Sequence, residues 1–251
     1  LNSTNLEALS TAQVAKLTTT QVSNLTSTQL NLMQTTDVAA LTTTQMASLT
    51  ASQLDNLDAS HLAALPSVAS LTSTQLNAMA STNLQALNTT QAASLTTTQV
   101  SNLTSTQLNF LQTSDVAALS TAAVASLTST QLNALTSTNL QALSTAQAAA
   151  LTTTQAANLT STQLNLLQTS DVGALSTAAV ASLTSTQLNA LNSTNLEALS
   201  TAQVAKLTTT QVSNLTSTQL NLMQTTDVAA LTTTQMRSEE RRVGKECEDL
   251  C

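Results

Sequence analysis

A histidine close to two carboxylates is the set of residues in this sequence that could do chemistry. His61, the single histidine, lies in the segment LDASHLAA, with Asp55 and Asp58 just before it. An imidazole beside a carboxylate could act as a general base or bind a metal ion. One histidine and two carboxylates are too few donors for a metal site where no cysteine is near. We therefore expect His61 to take a helix-capping position instead.

A pair of cysteines is the second candidate, and it lies in a tail of different composition. Residues 237–251 read RSEERRVGKECEDLC and contain Cys247 and Cys251, which lack the second pair of ligands that zinc requires. The basic residues alternate with glutamates, unlike those of a nucleic-acid-binding surface. Residues 237–247 resemble an in-frame translation of a sequencing adapter. We therefore predict that residues 237–251 are a non-native tail.

No other pattern in residues 1–236 indicates catalysis or ligand binding. The serines are numerous, but they do not combine with His61 into a plausible Ser/His/Asp set. A glycine-rich phosphate-binding loop is also missing. We expect no catalytic, cofactor-binding or metal-binding residue, no cofactor, and no enzyme activity.

The composition is unusual for its lack of charge and of aromatic residues. Charged residues make up 8% of the chain, Trp and Tyr are absent, and Leu, Ala and Val carry most of the 41% hydrophobic fraction. No apolar run approaches the roughly 20 residues that a membrane span requires. This composition excludes charge-rich disorder and a membrane-spanning helix as explanations of the chain.

The elements that must position any site are set by a repeat of eight residues, which we call the octad. Octads begin at Leu1 and follow at every eighth position to Leu65, and again from Leu71 to Leu231. The first column is Leu or Met, the second to fourth are mostly Ser or Thr, the fifth is usually Gln, Asn or Asp, and the sixth is apolar. The segment 65–70, LPSVAS, has only six residues. Residues 1–236 are thus predicted to form one repeat array.

The octads are themselves grouped into longer repeats. The phrase LTSTQLN recurs in steps of 56 residues, for example at Leu71, Leu127 and Leu183, and residues 1–46 are identical to residues 191–236. Such identity indicates recent duplication or an assembly error.

The spacing within an octad is typical of a capped helix start. In LTTTQVSN, Thr18 could accept a hydrogen bond from the backbone of Gln21, and the Gln21 side chain could accept one from the backbone of Thr18. Leu17 and Val22 would then form the hydrophobic contact that accompanies this capping box. The QT[TS]D octads have Gln in the capping column, which is a poor cap, so we expect their cap to shift by one residue.

One long helix would not suit this pattern. Eight residues at about 100° each exceed two turns by roughly 80°, so the leucine stripe would wind around the helix. Pro66 also disfavours helical geometry at Leu65. We therefore predict an all-α solenoid or superhelix of short N-capped helices, one per octad, that are stable only when stacked.

Two further points concern the alternative fold and the helix ends. A β-solenoid is the alternative, since Thr and Val favour strands, but apolar spacings of five and three put successive anchors on opposite faces. Glycine is nearly absent, so asparagine is expected to adopt the left-handed conformation that ends many helices. The candidates for this role are Asn24, Asn102, Asn158 and Asn214.

The phrases LSTAQVAK at Leu9 and LTTTQVSN at Leu17 also carry a family likeness. With them, residues 1–236 resemble the L-[ST]-x-x-Q-[LVI]-x-x octapeptide arrays of very large bacterial surface or secreted proteins. The resemblance implies a non-catalytic stalk or spacer, located outside the cell or at its surface.

A binding surface is the alternative function. Regularly spaced threonine pairs such as Thr18/Thr20 and Thr104/Thr106 could form a face that recognises protein, glycan or ice. The expected partners are neighbouring repeats and, beyond them, other surface proteins or glycans, with no nucleic acid.

Overall fold

The computed structural model describes residues 3–236, which form short α-helices joined by tight connections. The prediction of an all-α solenoid with one short N-capped helix per octad is confirmed. The alternative β-solenoid is wrong, since residues 3–236 contain no strand. The predicted non-native tail, with Cys247 and Cys251, lies outside the described residues.

The chain divides into two compact units, and the first extends to Leu127. Its helices are α1 (Ser3–Glu7), α2 (Thr11–Val14), α3 (Thr19–Ser23), α4 (Ser27–Asn31), α5 (Thr35–Val38), α6 (Thr43–Ser48), α7 (Ala51–Asp55), α8 (Ala59–Ala64), α9 (Ser73–Ala78), α10 (Ser81–Gln85), α11 (Thr89–Ser94), α12 (Thr97–Asn102), α13 (Ser105–Phe110), α14 (Thr113–Ala118) and α15 (Thr121–Ala125).

The second unit begins at Thr128 and ends, within the described residues, in a helical turn at 233–236. Its other helices are α16 (Ser129–Asn133), α17 (Ser137–Gln141), α18 (Thr145–Ala149), α19 (Thr153–Asn158), α20 (Ser161–Leu166), α21 (Thr169–Ala174), α22 (Thr177–Ser182), α23 (Ser185–Asn189), α24 (Ser193–Glu197), α25 (Thr201–Val204), α26 (Thr209–Ser213), α27 (Ser217–Leu222) and α28 (Thr225–Ala229).

From α2 to α28, each helix follows a second-column N-cap whose backbone is extended. At α3, Thr18 has φ −74° and ψ 156°. The Gln21 backbone N–H donates to Thr18 Oγ1 over 3.2 Å, and the Thr18 N–H donates to Gln21 Oε1 over 2.8 Å. These bonds satisfy two of the backbone donors that a helix start leaves unpaired.

In the QT[TS]D octads the expected shift of the cap is wrong. Gln34, Gln112, Gln168 and Gln224 keep the capping position with extended backbone, but their side chains form no capping hydrogen bond. The extended backbone of the second column is therefore retained even where the side chain does not cap. The Gln side chain is left available for contacts outside its own helix.

Helices end without a left-handed residue. No non-glycine residue in the described range has a positive φ; Asn24 has φ −89° and Asn214 has φ −101°. Asn102 and Asn158 are the last residues of their helices. The expected left-handed asparagine caps are thus wrong. The physical reason is that neighbouring turns supply donors for the carbonyl groups at the helix ends.

The core is built from the first and sixth columns. Sixth-column side chains are buried from Leu6 to Val212, and first-column side chains are buried from Met33 to Leu231. Within each unit a helix packs mainly on the helix three octads further along, as α3 does on α6 and α19 on α22. Each octad therefore buries its apolar anchors against the next turn of the solenoid.

The six-residue segment 65–70 forms no helix but takes the place of one octad. Leu65 has φ −55° and ψ 132°, so α8 stops before Pro66 as the proline requires. Leu65 and Val68 are both buried. Around this segment α7 packs on α9 and α8 on α10, which are three octads apart when the segment is counted.

Candidate functional site

Asp58 and His61 form the only contact between an imidazole and a carboxylate within residues 3–236. Asp58 is the N-cap of α8, and His61 lies one helical turn later. His61 Nδ1 is 2.7 Å from Asp58 Oδ1, and the His61 backbone N–H donates to the same oxygen over 2.9 Å. The His61 side chain is buried, while about half of the Asp58 side chain is exposed.

The second ring nitrogen of His61 is also engaged. His61 Nε2 is 2.8 Å from the carbonyl oxygen of Met33, in a buried position. A carbonyl group only accepts, so Nε2 carries the hydrogen in this contact. With Nδ1 against Asp58 and Nε2 against Met33, the imidazole has no nitrogen directed to solvent for proton transfer to a substrate.

The hydrogen bonds of Asp58 favour its ionised form. Partial burial raises the pKa of Asp58, but hydrogen bonds from Ser60 and from the backbone and ring of His61, together with the charge of the ring, lower it more, to about 2. The Ser60 hydroxyl donates to Asp58 Oδ1 over 2.7 Å, and a carboxylate whose pKa is lowered to about 2 is a weak base toward this hydroxyl. Asp55 is not part of this cluster, because its carboxylate accepts from the backbone N–H of Ala80 in the next turn.

Fifth-column glutamines form a regular set of contacts between turns, which we call the amide ladder. Gln99 shows the pattern: its Oε1 accepts from the backbone of Thr96, and its Nε2 donates to the carbonyl oxygens of Val68 (2.7 Å) and Leu71 (2.6 Å). The acceptors lie 31 and 28 residues earlier, at the buried valine of the segment 65–70 and at the first column of the next octad. The same pair of bonds is made by Gln45, Gln53, Gln187, Gln203 and Gln211.

His61 occupies a fifth-column position and contributes to the same ladder. Its contact with Met33 spans 28 residues, the spacing of the second glutamine bond. The sequence placed His61 correctly at a helix start but did not indicate the Met33 contact. The arrangement is a structural substitute for glutamine rather than an open catalytic pair.

A second ladder runs in the opposite direction, from seventh-column asparagines to the following turn. Asn77 Nδ2 donates to the carbonyl oxygen of Asn102 over 2.9 Å, and Asn77 Oδ1 accepts from the backbone N–H of Thr104 over 3.0 Å. Asn189 does the same with Asn214 and Thr216. These bonds connect a helix end with the next capping residue, and the sequence did not predict them.

The capping-column glutamines of the QT[TS]D octads also reach another turn. Gln168 Nε2 donates to the carbonyl oxygen of Gln141 over 2.7 Å, 27 residues earlier, and Gln224 does the same to Glu197 over 3.2 Å. These side chains bind the preceding turn instead of capping their own helix. The signal in the sequence was the choice of Gln at a position where Ser or Thr caps better.

The outer surface presents hydroxyl groups with little charge. The second to fourth columns are largely exposed, as in Thr152, Thr153 and Thr154, while Gln155 and Ala156 after them are buried. The hydroxyl of Thr152 caps its helix, whereas Thr153 and Thr154 lie beyond the cap. We call the exposed second, third and fourth columns the hydroxyl face.

An open cavity of about 280 Å³ lies on the first turn of the first unit. No titratable side chain lines it, so its chemistry is that of apolar and amide groups. These positions correspond to columns that contact a preceding turn elsewhere in the array. Its lining residues are Leu6, Leu17, Gln21, Asn24, Leu25 and Gln29.

Residues 3–236 offer neither a cluster of metal ligands nor a helix that could span a bilayer. No group of three or more His, Cys, Asp and Glu side chains in this range is placed to hold a metal ion. No helix in the same range is long and apolar enough to cross a bilayer.

Comparison with known proteins identifies a repeat protein. The family model of the ALTTAQ repeat matches residues 108–145, 164–201 and 185–217. These segments are similar to that repeat, although together they make up less than half of the chain. No curated protein and no solved structure matches the sequence.

Proposed function

We propose that the array is a non-catalytic structural spacer or stalk region of a large bacterial surface or secreted protein. Its repeats bind one another, and the array separates whatever is attached to its two ends. The observation that carries the proposal is the amide ladder, because the same columns make the same bonds in successive turns. A fold of this kind can be lengthened by whole octads without a new type of contact.

The chemistry of the buried polar groups supports this proposal. In the first unit Gln53 is 4% exposed and in the second Gln203 is 1% exposed, and both are engaged in backbone hydrogen bonds. His61, the side chain best suited to acid–base chemistry, is held by Asp58 and Met33. Polar groups whose hydrogen bonds are already made between turns are poorly placed to bind and convert a substrate.

A length series tests the spacer function. Deletion of residues 127–182 joins Ser126 to Leu183 and preserves the octad register, since Leu127 and Leu183 occupy the same column. We expect a folded protein whose maximum dimension in small-angle X-ray scattering is shorter by a constant amount for each 56-residue block removed. Deletion of residues 127–178 breaks the register and serves as the control. A seamless deletion that unfolds the chain or leaves its dimension unchanged would contradict the proposal.

Location is tested separately. Antibodies against the array should label intact cells of the bacterium that encodes it, and the label should disappear after external protease treatment. Labelling only after permeabilisation would count against an external spacer while leaving the repeat architecture intact.

A binding function is the second candidate, and the exposure of the hydroxyl face favours it. Hydroxyl groups repeated at fixed spacing, with almost no charge, could recognise ice, glycan or protein. Thermal hysteresis and glycan-array binding of the whole chain test this function. In the matched control, third- and fourth-column threonines of the second unit, such as Thr153 and Thr154, are changed to alanine while the capping threonines are kept. Binding that is lost in the control would favour the second candidate over the first.

A further inference from the structure

Four octads carry an aspartate in the column where the amide ladder needs a donor. One of them is Asp171 on α21 of the second unit, which is 1% exposed. A glutamine in this column donates to two carbonyl groups of the preceding turn, but an ionised carboxylate has no hydrogen to donate. The question is what satisfies the buried oxygens at this position.

Asparagine and aspartate side chains have the same length. An asparagine in the same column therefore shows which groups the end of an aspartate side chain would meet. Asn83 Nδ2 donates to the carbonyl oxygens of Leu54 (2.7 Å), Asp55 (2.8 Å) and Leu57 (3.2 Å). Asn195 Nδ2 lies 3.2 Å from the carbonyl oxygen of Leu164. An oxygen in place of this nitrogen would face only acceptors.

Asp171 has such an oxygen. Its Oδ1 is approached by the Ser170 hydroxyl over 3.5 Å, and the Thr145 hydroxyl also donates to this carboxyl group. Its Oδ2 is buried and has no hydrogen-bond partner among the described residues. By column, the acceptors in the preceding turn are the carbonyl groups of Leu140 and Leu143.

Within residues 3–236, the helices around Asp171 carry no cationic side chain that could compensate a negative charge. In the second unit α21 packs on α18 and α24 and is joined along the chain to α20 and α22. The only charged side chain of these four helices is the exposed carboxylate of Glu197 on α24. An ionised Asp171 would therefore be a buried charge directed at the negative ends of carbonyl dipoles, which is costly.

Asp115 repeats the arrangement in the first unit. It is 1% exposed, and its Oδ2 is likewise buried without a partner in the described residues. By column, the corresponding acceptors in the preceding turn are the carbonyl groups of Leu84 and Leu87. Within the first unit, α11, on which α14 packs, and the adjoining α13 and α15 carry no charged side chain.

We propose that Asp115 and Asp171 are proton-binding sites that connect turns of the solenoid. In the neutral acid, Oδ2–H donates to a backbone carbonyl group of the preceding turn, as the amide of Asn83 does. In the ionised form the same oxygen opposes that carbonyl group. Acid therefore strengthens the stacking of these turns, and loss of the proton weakens it.

The direction of the pKa shifts agrees with this geometry. Burial raises the pKa of both carboxyl groups. It outweighs the backbone hydrogen bond from Gln112 at Asp115, and those from Thr145, Ser170 and the backbone of Gln168 at Asp171. A carboxyl group whose pKa is higher in the folded than in the unfolded chain adds stability that is complete below the unfolded pKa, about 3.9. That stability is lost as the pH rises through the folded pKa.

A metal ion is a less suitable occupant than a proton. Calcium takes six to eight oxygen ligands at about 2.3–2.6 Å, whereas this position offers one carboxylate and a few carbonyl groups. The Asn83 contacts show that the side-chain atom itself reaches hydrogen-bond distance of the carbonyl oxygens. A hydrogen fits between such atoms without any displacement of the backbone.

Urea denaturation of the whole chain with and without the double substitution Asp115→Asn and Asp171→Asn tests the proposal. Asparagine already occupies this column at Asn83 and Asn195, so the variant is compatible with the fold. In buffers with a chelator at pH 4.5 and 7.5, we expect the variant to have the higher midpoint at pH 7.5, by a few tenths of a molar. Its midpoint should also depend less on pH than that of the parent. Glu197→Gln, at an exposed carboxylate, should leave the parent's behaviour unchanged.

Infrared spectroscopy provides a readout that does not depend on unfolding. The parent should show the carbonyl stretch of a protonated carboxyl group at a pH where exposed carboxyl groups are ionised, and the double variant should lack it. Equal pH dependence in parent and variant would overturn the proposal. It would also be overturned by a parent midpoint that rises on addition of Ca²⁺ or Na⁺ but not of acid, since this result indicates a cation site.

Discussion

The segment 65–70 and the regular octads of the first unit take part in the same hydrogen bonds between turns, although the segment is two residues shorter than an octad. Gln53 donates to acceptors 31 and 28 residues earlier, whereas Gln91, whose bonds span the short segment, donates to Leu62 and Leu65 at separations of 29 and 26. The missing two residues come from between the first and sixth columns, where an octad has its capping box. The comparison shows that the buried anchors and their carbonyl groups set the register of the solenoid. The helix between them can be omitted.

The largest expected effect tests whether the anchors of the two regions are equivalent. Leu65→Ala in the short segment and Leu57→Ala in the preceding octad remove side chains of equal exposure, 3% each. Each change should lower the free energy of unfolding by about 2–5 kcal/mol, through lost burial and a cavity. Urea denaturation of both variants measures the effect. A cost at Leu65 far below that at Leu57 would show that the short segment is only loosely packed.

The next effect concerns the bonds between turns. Gln99→Ala removes both the capping-box acceptor and the donor to Val68 and Leu71, while Gln21→Ala removes a box at an exposed position. Since only the first variant takes a side-chain donor away from two buried carbonyl groups, Gln99→Ala should cost about 2 kcal/mol more. Thermal or urea denaturation gives the difference. Equal costs would mean that glutamine acts through local capping alone.

A smaller effect is expected from the loss of a helix cap, which the segment 65–70 does not have. Thr96→Ala removes the cap of α12 and should cost about 1 kcal/mol, and Thr96→Ser should restore most of it. Ser67→Ala, in the segment without a helix, removes only a contact to Ser94 and one to the Ala69 backbone. Its cost should be within about 0.5 kcal/mol. A penalty at Ser67 as large as at Thr96 would contradict the view that this segment has no capping function.

The smallest effect is a pH dependence at the helix that precedes the short segment. The pKa of Asp58 is lowered to about 2, so its contribution to stability is present above the unfolded pKa and is lost as the pH falls toward 2. Because about half of the Asp58 side chain is exposed, the loss should be small. Comparison of the parent with Asp58→Asn between pH 4 and pH 2 measures it. Increasing stability of the parent relative to the variant over this range would contradict the assignment.

Part of the candidate site was predictable because it is local. Asp58 and His61 are three residues apart, and residues at this spacing meet at a helix start whatever surrounds the helix. The Met33 contact lies 28 residues away and had no local signal. For the proposed proton-binding carboxylates, the sequence showed only that an aspartate replaces the usual glutamine of the fifth column. It did not show that Asp171 is buried against carbonyl groups.

The sequence by itself determined the short capped helices, the break at Pro66 and the alternation of buried and exposed columns. These follow from hydrogen bonds and contacts between residues three to five positions apart. Only the tertiary structure decided that bonds recur every 28 residues, which is three and a half octads and half of the 56-residue repeat. That number depends on how successive helices cross when their leucines pack, and no single octad contains this information. The same packing decides that helix ends are satisfied by side chains of another turn, so no left-handed residue is needed there.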